Sequence, residues 1–191
     1  AEKGQILFVG SSLMEQFPVN EILMTKGLFY KIYNRGVSGF TTADMLDHMD
    51  TMVFDLEPSR IFINIGTNDI GAPGYSEDAL LSNYRRILAQ IKERLSEAEV
   101  YVMAYYPVNE TDKLSRCAQG ESTFANRNNR NIDAANRRIA GLAAEMGMHY
   151  IDVSEGLRDA QGKLKAEFTV EGIHMYANAY YVIFENMERY L

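Results

Sequence analysis

The chain has 191 residues, 47% hydrophobic and 24% charged, which suits one folded domain spanning 1–191 with a sizeable core. A net charge of -7 and a pI near 5.0 argue against nucleic acid or an anionic membrane as the main partner. The single cysteine, Cys117, excludes an internal disulfide framework and a cysteine-rich zinc site, and no apolar run is as long as a membrane span.

In chain order, the first strand is expected in "ILFVG" (6–10), followed by two serines and a helix-like pattern. "YKIYN" (30–34) reads as the second strand. "TTADMLDHMDTMVF" reads as a helix starting at Thr41, with Asp44 three residues on in a capping-box arrangement. "RIFINIG" (60–66) and "EVYVMAY" (99–105) are the third and fourth strands. They are nearly continuous in apolar and β-favouring residues, as in a sheet covered on both faces. Between them, Leu80, Tyr84, Ile87, Leu88, Ile91 and Leu95 share one helical face behind a Ser76 cap. Segment 106–131 is long and polar and reads as a functional loop or lid. In "NRNNRNIDAANRRIAGLAAEMG", Ile132, Ala135, Ile139, Leu142 and Met146 form a helical stripe that stops at Gly147. "HYIDV" (149–153) is the fifth strand, and a last helix starts near Tyr176 and runs through "AYYVIFENMERYL". The apolar residues of that helix suit packing on the sheet, and equally a homo-oligomer contact.

This alternation predicts an α/β fold, a parallel sheet with helices on both faces and right-handed crossovers. No linker or repeat divides it. The first residues, "AEKG", form no signal peptide and lack an initiator Met, as after upstream processing; the expected compartment is the reducing cytoplasm.

In such a sheet ligands bind at the carboxyl ends of the strands. The loops there read "GSSLME" (10–15), "NRGVSGFTT" (34–42) and "GTNDIG" (66–71), all rich in residues that also make ordinary turns. A P-loop fails for want of the Gly-Lys-Ser/Thr ending, and a nucleophile elbow fails because no glycine stands two after Ser12. The three histidines share no ligand spacing, so neither a metal nor another cofactor is expected. For serine chemistry a base is needed. His48 lies within a helix and His149 at the amino end of a strand, so both read as structural. His174 precedes the last helix and can reach the carboxyl edge.

These residues carry a resemblance. The chain resembles the SGNH hydrolase superfamily, the GDSL-type lipase/esterase family, in four blocks that appear in order. "VGSSLME" matches the first with Ser12 as nucleophile; "NRGVSGFTT" the second with Gly39; "GTNDI" the third with Asn68; and "EGIH" the last with His174. The resemblance implies a three-layer α/β/α fold with a five-stranded parallel sheet in the flavodoxin-like order 2-1-3-4-5. It also implies an ester hydrolase in which Ser12 attacks, His174 takes its proton, and the backbone N–H groups of Ser12 and Gly39 with the Asn68 amide hold the oxyanion.

Two positions depart from the family pattern. Ser11 stands where Asp is usual and is expected to serve loop hydrogen bonds; Glu171 stands where the last block has Asp. Motif position favours Glu171 as the third triad member, and the alternative is a Ser-His dyad with a backbone carbonyl orienting the imidazole. Asp69 is expected to cap the segment after the third strand or to hold its loop through backbone N–H groups. Lys113, Arg116, Arg127 and Arg130 read chiefly as solvated charges, with recognition of an anionic substrate as the alternative.

The expected partner is a small-molecule ester with a short acyl group, an acetylated sugar foremost. The alternatives are a lysophospholipase or thioesterase on the same site, a catalytically silent glycan- or acyl-binding module, and, last, a mononucleotide binder of the same fold order.

Overall fold

The computed structural model describes residues 1–111 and 123–191. Lys113, Arg116 and Cys117 lie outside the described residues. Strands β1 Ile6–Gly10, β2 Ile32–Gly36, β3 Arg60–Asn64, β4 Glu99–Met103 and β5 His149–Ile151 form an all-parallel sheet in the order β2-β1-β3-β4-β5. The α/β class and strand order are those the sequence led us to expect.

Burial follows position in the sheet. The inner strands β1, β3 and β4 are buried over four of their five residues. The edge strands, "IYNRG" and "HYI", are more polar and half open. Alternate side chains of the inner strands feed two cores. Leu7, Val9, Ile61, Ile63, Val100 and Val102 face the layer of α3 Thr42–Asp47, α4 Met49–Met52, α6 Glu77–Arg94 and α8 Asn129–Met146. Phe8, Phe62, Tyr101 and Met103 face the layer of α1 Ser12–Glu15, α2 Val19–Lys26 and α9 Ala177–Met187. On this second face an aromatic row crosses four strands: Phe8 to Phe62 at 5.2 Å, Phe62 to Tyr101 at 4.9 Å, and Tyr101 to His149 at 4.8 Å. His149 is therefore a packing residue. Tyr180, Ile183, Phe184 and Met187 of α9 are buried in the same core, so the closing apolar stretch packs on the sheet.

Local signals placed the starts of α3 and α6 and the end of α8. Thr41 and Asp44 form the capping box of α3, and Ser76 accepts from Ala79 N–H at the start of α6. Gly147, at φ +73°, ends α8 in the left-handed conformation. Some boundaries differ from expectation. β2 starts two residues later than read, because Ile32 pairs with Ile6 while Tyr30 and Lys31 are exposed. The helix begun at Thr42 breaks at His48, which sits at the α3–α4 junction with Nδ1 2.8 Å from the Asp44 carbonyl. "TNDIG", read as a loop, is the short helix α5 Thr67–Gly71, and α7 Thr123–Asn126 precedes α8 as a separate turn.

Register positions the site. Gly10 is level with Gly36 on one side and Asn64 on the other. The loops leaving β2, β1 and β3 thus start from one line across the carboxyl edge. Among the described residues, no helix is long and apolar enough to cross a membrane.

Candidate active site

Ser12 is the first residue of α1 and is 7% exposed. Ser11 before it is buried, but its hydroxyl makes no cap bond to the helix. Its main chain holds the loop instead: the N–H donates to Asn64 O at 3.3 Å, and the carbonyl accepts from Met14 and Glu15 N–H at 3.0 and 2.9 Å. The expectation that Ser11 serves loop hydrogen bonds thus holds for its backbone.

Three cross-ties fix the loops to one another. Ser38 donates its N–H to the Glu15 carboxylate at 2.9 Å, joining the second loop to α1. Asn68 Nδ2 donates to Phe40 O at 3.0 Å, joining α5 to the second loop. Asp69 accepts from the Thr42 N–H and hydroxyl, and Asn83 Nδ2 donates to that same hydroxyl at 3.1 Å. Asp69 therefore has the structural role expected of it, but it ties α5 to the start of α3 rather than holding its own loop. Burial pushes its carboxyl pKa up, against the lowering effect of the Thr42 bonds. Gly39 lies between two of these ties at φ +82°, and a Cβ there would meet nothing within 4 Å. The need for glycine at 39 is conformational rather than a matter of clash.

His174 stands in the turn before α9, in the segment "TVEGIHM" closed by the Thr169–Met175 antiparallel bridge. The buried Thr169 hydroxyl donates to His174 O at 2.8 Å and accepts from Gly172 N–H at 2.8 Å. Gly172 has φ +100°, and a Cβ there would overlap Asn109 O, whose own N–H donates to Gly172 O at 2.8 Å. The described part of segment 106–131 so includes a bed for the histidine turn.

Within that turn Glu171 accepts from His174 Nδ1 and, at 3.1 Å, from the His174 N–H. With Nδ1 carrying the proton, Nε2 is the acceptor for the Ser12 hydroxyl, 3.0 Å away. Burial pushes the Glu171 carboxyl up, but its bonds from the His174 side chain and backbone outweigh this and leave its pKa below the ordinary value. The geometry thus joins Ser12, His174 and Glu171 in one hydrogen-bonded series, with Gly39 on the adjoining loop and Asn68 on α5, which is tied to that loop.

Arg127 corrects the sequence reading. It is not a solvated surface charge: its guanidinium is partly buried against α5, donating from Nε to Thr67 O at 3.1 Å and from Nη2 to Asn68 Oδ1 at 3.0 Å. Burial lowers its pKa, partly offset by the charge of Glu171. Only the exposed Arg130 fits the surface reading among the described residues of that set. Among the described residues no group of three or more His, Cys, Asp and Glu is placed to hold a metal ion.

Comparison with known proteins follows the same lines. The N-acylneuraminate cytidylyltransferase of Escherichia coli O18:K1:H7 is 21% identical over 180 residues; the match takes in 93% of this chain and 38% of that protein, so the chain spans under half of that relative. A Streptococcus pneumonia protein named for platelet activating factor superposes with a TM-score of 0.86 at 28% identity, over 98% of this chain and 84% of the other. Axe2, an acetylxylan esterase of Geobacillus stearothermophilus, gives 0.72 at 16% identity over 99% and 94%, a likeness of fold. A model of the GDSL-like Lipase/Acylhydrolase family matches residues 21–182, which takes in Gly39, Asn68, Glu171 and His174 but stops short of Ser12. With most of its length matched, the chain belongs to the GDSL-like lipase/acylhydrolase family.

Proposed function

We propose that the protein is a serine esterase that hydrolyses short-acyl esters, with an O-acetylated sugar as the leading substrate class. The hydrogen-bonded series Glu171–His174–Ser12 carries this reading. Ser12 Oγ attacks the ester carbonyl while His174 Nε2 takes its proton, and Glu171 holds Nδ1 and stabilises the imidazolium. The carbonyl oxygen becomes an oxyanion, held by the N–H groups of Ser12 and Gly39 and by Asn68 Nδ2. Collapse of this intermediate expels the alkoxide, which takes the proton from His174 and leaves an acyl-Ser12 ester. Water, deprotonated by His174, then attacks that ester, and as the acid leaves, Ser12 Oγ takes that proton back from His174. Membership of the family supports ester hydrolysis, and the fold likeness to an acetylxylan esterase is the ground for choosing a short acyl group.

The test is a p-nitrophenyl ester series of rising acyl length, run beside acetylated xylose and lysophosphatidylcholine. The highest kcat/KM should fall on the acetyl esters. A clear preference for long acyl chains or for lysophosphatidylcholine overturns the short-acyl part, and no turnover of any of them by folded protein overturns the esterase.

A further inference from the structure

Arg127 lies outside the four sequence blocks, 59 residues from Asn68 along the chain, yet it is bonded to the candidate oxyanion donor. We propose that Arg127 is a positioning residue for Asn68: its guanidinium fixes which end of the Asn68 amide faces the substrate and polarises that amide. This inference rests on the esterase reading of the site.

A primary amide has two faces of opposite use. Its NH2 can stabilise an oxyanion, while its oxygen, after a flip, would repel one. The two neighbours of Asn68 admit a single orientation. Arg127 Nη2 can only donate, so it takes Oδ1; the Phe40 carbonyl can only accept, so it takes Nδ2. A flip would break both bonds and set two donors and two acceptors against each other. The orientation held leaves one Nδ2 hydrogen for the substrate. A cation on Oδ1 also draws electron density from the amide and strengthens its N–H groups as donors. Nε on Thr67 O keeps the guanidinium from swinging away. A lysine, with one nitrogen, cannot reproduce this fork. The planar group lies so close to Gly71 of α5 that any Cβ at 71 would overlap it.

That closeness supplies a second perturbation. Gly71 has no positive φ, so Gly71→Ala leaves the backbone unstrained and displaces the flexible end of Arg127. Acetyl-ester kinetics are measured for wild type, Arg127→Met, Arg127→Lys, Gly71→Ala, Asn68→Ala and the double variant Arg127→Met with Asn68→Ala. The expected loss in kcat for Arg127→Met is about 10- to 100-fold with KM within about threefold, since misplacing one donor forfeits most of its effect. Arg127→Lys recovers part of the loss, and Gly71→Ala lowers kcat in the same direction. In the Asn68→Ala background, Arg127→Met adds less than about twofold, because the two act as one unit. The Asn68 side-chain amide resonances, identified by their loss in Asn68→Ala, move in Arg127→Met and Gly71→Ala. Losses that multiply in the double variant, an unchanged kcat in Arg127→Met, or unmoved amide resonances in a folded variant would each overturn the proposal. A wild-type protein without esterase activity would instead overturn the esterase reading, and the amide resonances alone would then decide the positioning role.

Discussion

Replacing Glu171 by Gln keeps the length and shape of the side chain and removes its charge. That charge matters most once His174 has taken the Ser12 proton and become an imidazolium. Opposite charges about 4 Å apart attract by about 4 kcal/mol at an effective dielectric of about 20. The Glu171 side chain is only 13% exposed, but that of His174 is 34% exposed, so solvent screens part of this attraction. About 2–3 kcal/mol remains, equivalent to a loss of about 30- to 150-fold in kcat/KM. Glu171→Ala loses in addition the acceptor of the His174 N–H and should be at least as damaging. His174→Ala removes the base itself and should cost about 10³-fold or more. Initial rates of acetyl-ester hydrolysis at one neutral pH, with matched circular dichroism spectra, measure all three. A Glu171→Gln enzyme within about threefold of wild type, beside a His174→Ala enzyme down about a thousandfold, would refute the reasoning. The imidazole would then be held by another group, as in a Ser-His dyad.

Asn68→Ala should lower kcat by about 10²- to 10³-fold with little change in KM, because the lost bond forms to charge that develops in the transition state; a variant that raises KM alone would count against the oxyanion role. Gly39→Ala forces a Cβ into the left-handed region at φ +82° and should destabilise the fold by about 1–2 kcal/mol in urea unfolding; a variant as stable as wild type would contradict that strain. Glu171 has a folded-state pKa below the ordinary carboxylate value of 4.5, so the unfolded chain binds its proton first as pH falls. Its contribution to stability is therefore present above 4.5 and is lost as pH drops through the lower folded value. The stability gap between wild type and Glu171→Gln should narrow on acidification through that window in thermal melts; a gap that widens would reverse the sign.

What could be read from the chain was what local chemistry decides. Thr41 with Asp44, Ser76 and Gly147 mark helix ends through bonds made within a few residues, and they stand where the sequence put them. The inner strands announce themselves by unbroken apolar runs. β2 does not, since an edge strand buries less, and its start is set by pairing Ile32 to Ile6 rather than by its own residues. α5 was invisible because "TNDIG" is rich in turn residues; its polar side chains find partners far along the chain, Asp69 at Thr42 and Asn68 at Phe40 and Arg127. The site residues were legible as an ordered set of blocks: each is a weak turn-like motif, and only family resemblance joined them. Arg127 gave no such signal. It sits in no block, and nothing in "FANRNNRN" tells a buried guanidinium from an exposed one. The choice of Ser12 over Ser11 gains physical support from the 3.0 Å contact to His174 Nε2.

The central claim is that Ser12 is an activated nucleophile, and covalent labelling tests it most directly. A fluorophosphonate probe should label the wild-type protein at Ser12, as located by peptide mass, with Ser12→Ala unlabelled and His174→Ala labelled far more slowly. Folded wild-type protein that takes up no probe, or a Ser12→Ala variant that still does, would contradict the account.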